Sequence, residues 1–118
     1  MKITNLQAVN YINVVTAMKE KRLPIKLLFA INHNFNLIMN QVKTYEEARR
    51  TLLDKFEGDD QTKFKMALPE MEELLNESVE QPVKTIEFSD LEKIDNDSQY
   101  DKLTTVEYSA IFFMLEDK

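Results

Sequence analysis

The 118-residue sequence predicts an α+β fold dominated by helix, and three observations carry that reading. One glycine and three prolines are too few for a turn-rich all-β chain. An apolar heptad runs from Leu28 to Phe56, interrupted only at Arg49. Beyond Gly58 the apolar period shortens to two in residues 62–66 and 83–88, as in half-buried strands. The expectation is a long heptad-patterned helix packed with N- and C-terminal helices, plus a small antiparallel two-stranded sheet. One domain covers 1–118, with a helical hairpin over 1–57 and the strands and last helix in 58–118.

The first helix is expected from Asn5 to about residue 21, opened by a capping box of Thr4 with Gln7. Leu6, Val9, Ile12, Val14 and Met18 fall on more than one stripe, which suits a helix packed on two sides. Pro24 suits the first turn of the next helix, where its missing N–H is no loss. From there Leu28, Ile31, Phe35, Ile38, Val42, Tyr45, Leu52 and Phe56 mark a seam, and Gly58 reads as the residue that ends it. A helix over 24–57 spans roughly 50 Å, longer than a compact domain of this size. Thr44 with Glu47 offers a restart, but the heptad favours one continuous helix.

In the second half Pro69 opens a short acidic helix, with Met71, Leu74 and Leu75 inward. Pro82 then leads into the 83–88 strand. Ser89 with Glu92 caps a brief turn, and Thr104 with Glu107 caps a final helix whose SAIFFML stretch is apolar nearly all round. The first and last helices are expected to cover the long seam. Where they do not, a second copy would, so a homodimer is one assembly the pattern allows.

Composition excludes several chemistries. Without cysteine there is no disulfide framework, thiolate metal site or cysteine nucleophile, and a reducing cytoplasm suits the chain. A single glycine rules out a Walker loop or dinucleotide fingerprint, so no cofactor is implied. The N-terminus reads as no signal peptide, and no apolar run is long enough to span a membrane. The net charge of −6 divides unevenly. Residues 1–56 hold nine basic and four acidic residues (+5), and residues 57–118 hold six and seventeen (−11). Two binding faces, or halves that attract each other, both fit that split.

Few residues invite chemistry. At about 100° per residue, His33, Asn36, Asn40 and Glu47 lie opposite the seam, with Asn32 and Asn34 at its margins. The only histidine therefore points outward and lacks the partners of a metal site. Phe29 shares that face; an aromatic beside Asn and His side chains makes a candidate partner-binding surface, and packing under the first helix or the C-terminal segment is the alternative account, which the sequence favours slightly. Residues 95–101 resemble an EF-hand start, but Tyr100 stands where glycine is required and Val106 where the glutamate belongs. Glu70, Glu72, Glu73 and Glu77 read as the solvated face of a short helix. Arg49 and Arg50, with Lys19, Lys21, Arg22 and Lys43, are a weak nucleic-acid signal, since the chain's pI is near 4.8. No catalytic set and no metal-ligand set emerges.

The order of features resembles one family. The Leu23-Pro24 opening, Asn34 within the long helix, Glu46/Glu47 and Arg49/Arg50 near its end, and the Gly58-Asp59-Asp60 turn come first. Glu73-Leu74-Leu75, the 83–88 strand and Leu103-Thr104 follow. This is similar to a family of small uncharacterised proteins of tailed phages and prophages of Gram-positive bacteria. The resemblance implies a phage origin and a cytoplasmic or virion-associated setting in the host cell, and it carries over no catalytic residue.

The favoured expectation is a non-enzymatic phage protein that binds another protein, as an inhibitor of a host or antiviral-defence complex. Its candidate contacts are Phe29, His33, Asn36, Asn40, Arg49 and Arg50. A virion assembly component and a nucleic-acid-binding accessory protein are the alternatives, the second not favoured.

Overall fold

The structure, a computed structural model, describes residues 1–115. Its elements are β1 (Lys2–Thr4), α1 (Asn5–Ala17), α2 (Ile25–Asp54), α3 (Asp60–Asn76), β2 (Ser78–Glu80), α4 (Phe88–Asn96) and α5 (Thr105–Ile111). A 3-10 turn over Phe112–Met114 follows. The fold is helix-dominated α+β, with a long α2 and one two-stranded antiparallel sheet among the described residues.

α1 begins at the expected capping box. The Thr4 hydroxyl accepts from the Gln7 N–H at 3.1 Å, and the Thr4 N–H donates to Gln7 Oε1 at 2.9 Å. Such a cap contributes about 1 kcal/mol. The helix ends at Ala17, earlier than expected, in a turn closed by Lys21 N–H on the Met18 carbonyl. Its buried residues Ala8, Tyr11, Ile12 and Val15 form one stripe, shared between α2 and α5, and Leu6 stays exposed.

α2 runs unbroken for 30 residues, about 45 Å. Thr44 does not restart it, because its hydroxyl donates to the Asn40 carbonyl within the helix at 3.1 Å. Pro24 is the N-cap rather than a first-turn residue. Gly58 does not end α2 directly but sits in the α2–α3 turn at φ +118°, where an added Cβ would come within 3.2 Å of the Thr62 side chain. The seam itself is displaced from the expected one. Its buried row is Leu27, Ile31, Asn34, Ile38, Gln41, Tyr45 and Leu52, so alternate positions shift by one residue. Phe35 and Val42 become half-buried flanks, and two amides take central places.

The strands are not the expected ones. Residues 62–66 belong to α3, where Phe64, Ala67, Leu68, Met71, Leu74 and Leu75 satisfy a helical period over a longer window. Pro69 lies inside that helix instead of opening one. Of the expected 83–88 strand, Phe88 begins α4 and residues 83–87 form no strand; among them Ile86 bridges, in parallel, to Leu115, its N–H on the Met114 carbonyl at 2.8 Å. The sheet pairs Lys2 with Glu80, Ile3 with Val79 and Thr4 with Ser78.

α4 starts two residues earlier than expected. Glu87 is its N-cap, and the Glu87 N–H donates to Asp90 Oδ2 at 3.1 Å. α5 starts at the expected Thr104–Glu107 box. Of the SAIFFML stretch, Ala110, Ile111 and Met114 are buried, but Phe112 is exposed.

Two apolar clusters hold the molecule. The larger centres on Tyr11, Leu27, Ile38, Ile94, Ile111 and Met114. The smaller, between α2 and α3, has only Leu52, Ala67 and Met71 buried among the described residues. α5 packs on α1, so the α2 seam is covered by α1 and α3 rather than by the first and last helices. The α2–α3 hairpin consequently projects. The described chain measures 55 × 26 × 19 Å with a radius of gyration of 17.0 Å, against about 13–14 Å for a compact chain of this length.

Candidate functional site

The geometry of α2 decides which polar residues are free to meet a partner. Asn34 is fully buried. Its Nδ2 donates to the Lys84 carbonyl at 2.9 Å, and the Lys84 N–H donates to its Oδ1 at 2.7 Å. One amide side chain thus gives the 81–87 segment the pair of bonds that a neighbouring strand would have supplied. Gln41 does the same for the sheet. Its Nε2 donates to the Ile3 carbonyl at 2.9 Å and to Asn5 Oδ1 at 3.0 Å, while its Oε1 accepts from Gln81 Nε2 at 3.0 Å. Asn5 Nδ2 in turn reaches the Leu74 carbonyl at 2.7 Å. These buried amides are structural.

The outer face is arranged as expected. His33, Asn36 and Asn40 are exposed, and Phe29 stands beside His33 with ring centroids 6.3 Å apart and planes 19° from parallel. The Lys84 ammonium lies 5.4 Å from the centroid of the Phe29 ring. That distance is within the range of a cation–π contact, worth about 0.5–1 kcal/mol at an exposed site. Phe29 is 58% exposed and Ile25, one turn earlier, 76%. Both rim a groove of about 530 Å³ between α2, the 84–87 segment and α4, with Lys26 and Glu87 at its edges.

The six candidate residues do not form one site. Phe29 and His33 meet at the N-terminal end of α2, and Asn36 and Asn40 extend that face. Arg49 and Arg50 lie about 30 Å along the helix from Phe29 and about 14 Å beyond Asn40. There they line a separate cavity of about 590 Å³ with Leu53 and Phe64. Lys63, Asp54 and Asp60 share that cavity, so its three cations outnumber its two carboxylates by one. Arg50 is exposed but Arg49 is half-buried toward α3. Sequence reasoning missed Ile25, Lys84 and Glu87 as neighbours of Phe29. Ile25 is out of phase with the seam, which marks it as outward. The other two reach α2 through the Asn34 amide, a contact that no periodicity shows.

The titratable groups with clear shifts are structural. Burial pushes the Tyr11 phenol up, and its hydroxyl donates to the Ile31 carbonyl at 2.7 Å. Burial alone would raise Glu107, but hydrogen bonds from Lys21 Nζ and the Thr104 cap outweigh it and hold the carboxyl low. Among the described residues no group of three or more His, Cys, Asp or Glu side chains is placed to hold a metal ion. No helix among them is long and apolar enough to cross a membrane. Comparison with known protein families, curated proteins and solved structures finds no match.

Proposed function

We propose that this chain is a non-enzymatic protein-binding module whose primary contact is the groove headed by Ile25 and Phe29. The carrying observation is the exposure of these two large apolar side chains, side by side on the first turns of a rigid helix. Fully covering a Phe or Ile side chain is worth about 1.5–3 kcal/mol, so leaving both open on a groove is characteristic of an interface. His33 and Asn36 continue the face beyond the groove as hydrogen-bonding groups, a polar border beside an apolar anchor, while Asn40 lies against the neighbouring cavity on the α2–α3 flank. The phage resemblance supplies the class of partner. It is a protein of the bacterial host cell, an antiviral-defence complex included, whose working surface the module would occupy.

The test is a photo-crosslinking residue at His33, used in host cells and followed by identification of the adducts. An Ile25→Ser/Phe29→Ser variant should lose the specific adduct while keeping its helical circular dichroism. Adducts unchanged by that double substitution would remove the groove from the interface. Recovery of phage structural proteins alone would replace the inhibitor reading with an assembly role. Substrate turnover abolished by His33→Ala would overturn the non-enzymatic reading. The nucleic-acid alternative draws little support, because the chain carries a net charge of −6 and the cavity of Arg49, Arg50 and Lys63 also holds Asp54 and Asp60, which leaves it only weakly positive.

A further inference from the structure

A second surface lies on the flank of the α2–α3 hairpin. Two cavities, of about 450 Å³ and 630 Å³, share Ala48, Leu74 and Glu77 in their linings and so join into one trough. The α2 wall runs from Leu37 to Leu52. That is 16 residues, about 22 Å of helix from first to last. Leu37, Ala48, Leu52 and Leu74 give the trough an apolar floor, and the small side chain of Ala48 deepens it at midpoint. Along the α3 rim stand Glu70, Glu73 and Glu77, spaced three and four residues apart and all exposed. Among the described residues no Lys or Arg lines either cavity. The ion pairs among the described residues, N-terminus to Glu80 and Lys21 to Glu107, leave these three carboxylates without a cationic partner.

We propose that this trough docks an amphipathic helix of a different protein, apolar on one face and lined with Lys or Arg along one edge. The dimensions select a helix of about four turns, which would complete a three-helix packing with α2 and α3. The spacing of the glutamates selects the guest's charge. Basic residues at matching three- and four-residue intervals meet Glu70, Glu73 and Glu77 in turn, as in other helix-in-groove recognition. Phosphate-rich ligands are repelled by the same rim. A second copy of this chain is also a poor occupant. A twofold pairing of the trough with itself would place two sets of these glutamates face to face. The proposal shares the protein-binding premise of the preceding reading but uses a different face, and the variants below separate the two.

The probe is a fluorescent Leu/Lys amphipathic peptide of about 18 residues, compared by anisotropy with a Leu/Glu peptide of the same pattern. The Leu/Lys peptide should bind at least about tenfold tighter, with affinity falling as salt is raised from about 50 to about 200 mM. Glu70→Gln/Glu73→Gln/Glu77→Gln and, separately, Ala48→Trp should each weaken it about tenfold with unchanged circular dichroism. Ile25→Ser/Phe29→Ser should leave it unchanged. Equal binding by the triple-Gln and Ala48→Trp proteins would overturn the proposal, as diffuse attraction to an acidic protein. Loss confined to Ile25→Ser/Phe29→Ser would overturn it too, by moving the peptide to the other groove. A dimer in solution that Ala48→Trp dissociates would assign the trough to self-association instead.

Discussion

Replacing Asn34 with alanine tests whether an amide belongs at the centre of the α2 seam. The side chain has no solvent exposure and makes two bonds to the backbone of Lys84, at 2.9 and 2.7 Å. Each contributes about 1 kcal/mol net, and a backbone group left dry costs about 1–3 kcal/mol. Lys84 is itself exposed, so water can reach part of the freed pair and the lower end applies. The small void left by the amide adds to the loss. The expected total is about 2–3 kcal/mol, a sizeable fraction of a stability of order 5–15 kcal/mol. Urea unfolding should show it as a lower midpoint at constant m-value, and thermal unfolding as a drop of about 10 °C. Hydrogen exchange adds a local readout, because the Lys84 amide should be protected in the parent and exchange freely in the variant. Asn36→Ala, on the exposed face, should change stability by less than about 0.5 kcal/mol. A loss for Asn34→Ala as small as that control's would refute the reasoning and restore the seam centred on Phe35 and Val42.

Further outcomes follow from the same contacts. Tyr11→Phe removes the hydroxyl bond to Ile31 but keeps the edge-on contact with Phe113, whose ring centroid is 5.4 Å away; it should cost about 1 kcal/mol by urea unfolding. Glu107 is held below its ordinary value of 4.5, so the stability it contributes is fully present above that value and is lost as pH falls through the lower folded one. Lys21→Met should therefore destabilise at neutral pH by up to about 1 kcal/mol, and the difference from the parent should vanish in acid titrations followed by circular dichroism. Met71→Ala should cost about 2–4 kcal/mol, and the faster hydrogen exchange should concentrate in the hairpin, where Leu52 and Ala67 are the only other buried members of its cluster among the described residues. Gly58→Ala forces a Cβ into a φ of +118° against Thr62 and should cost about 1–3 kcal/mol, measured by thermal unfolding.

Long-range polar pairing explains where sequence reading succeeded and where it stopped. The capping boxes at Thr4 and Thr104 and the continuity of α2 are local facts, set by residues three or four apart, and the structure has them. The outward direction of His33, Asn36 and Asn40 was legible for the same reason. Apolar periodicity could not place Asn34 and Gln41, because the backbone groups they satisfy lie about 40 to 50 residues away in sequence. β1 and β2 were missed because three-residue strands carry too little pattern to register, and their partners are remote. The 62–66 segment shows the limit of a short window. Five alternating residues fit a strand, but the seventeen-residue stretch around them fits a helix better, and the longer pattern buries more. For the candidate site, the Phe29–His33 pair was readable along one helix, whereas Lys84 arrives only once Asn34 has docked its segment.

The amide relay through Asn5, Gln41 and Gln81 has a consequence for how the chain melts. Its members are separated by 36, 40 and 69 residues along their bonds, including the reach to Leu74. The α1–α2 and α2–α3 pairs join neighbours in sequence and can assemble early, each around its own apolar cluster. The relay can close only after both have formed. It thus works as a latch that fastens the small cluster to the large one, so that they unfold as a single unit. Gln41→Leu would unfasten it, and a calorimetric trace resolving into two transitions would be the sign; one sharp transition in that variant would mean that packing alone unites them.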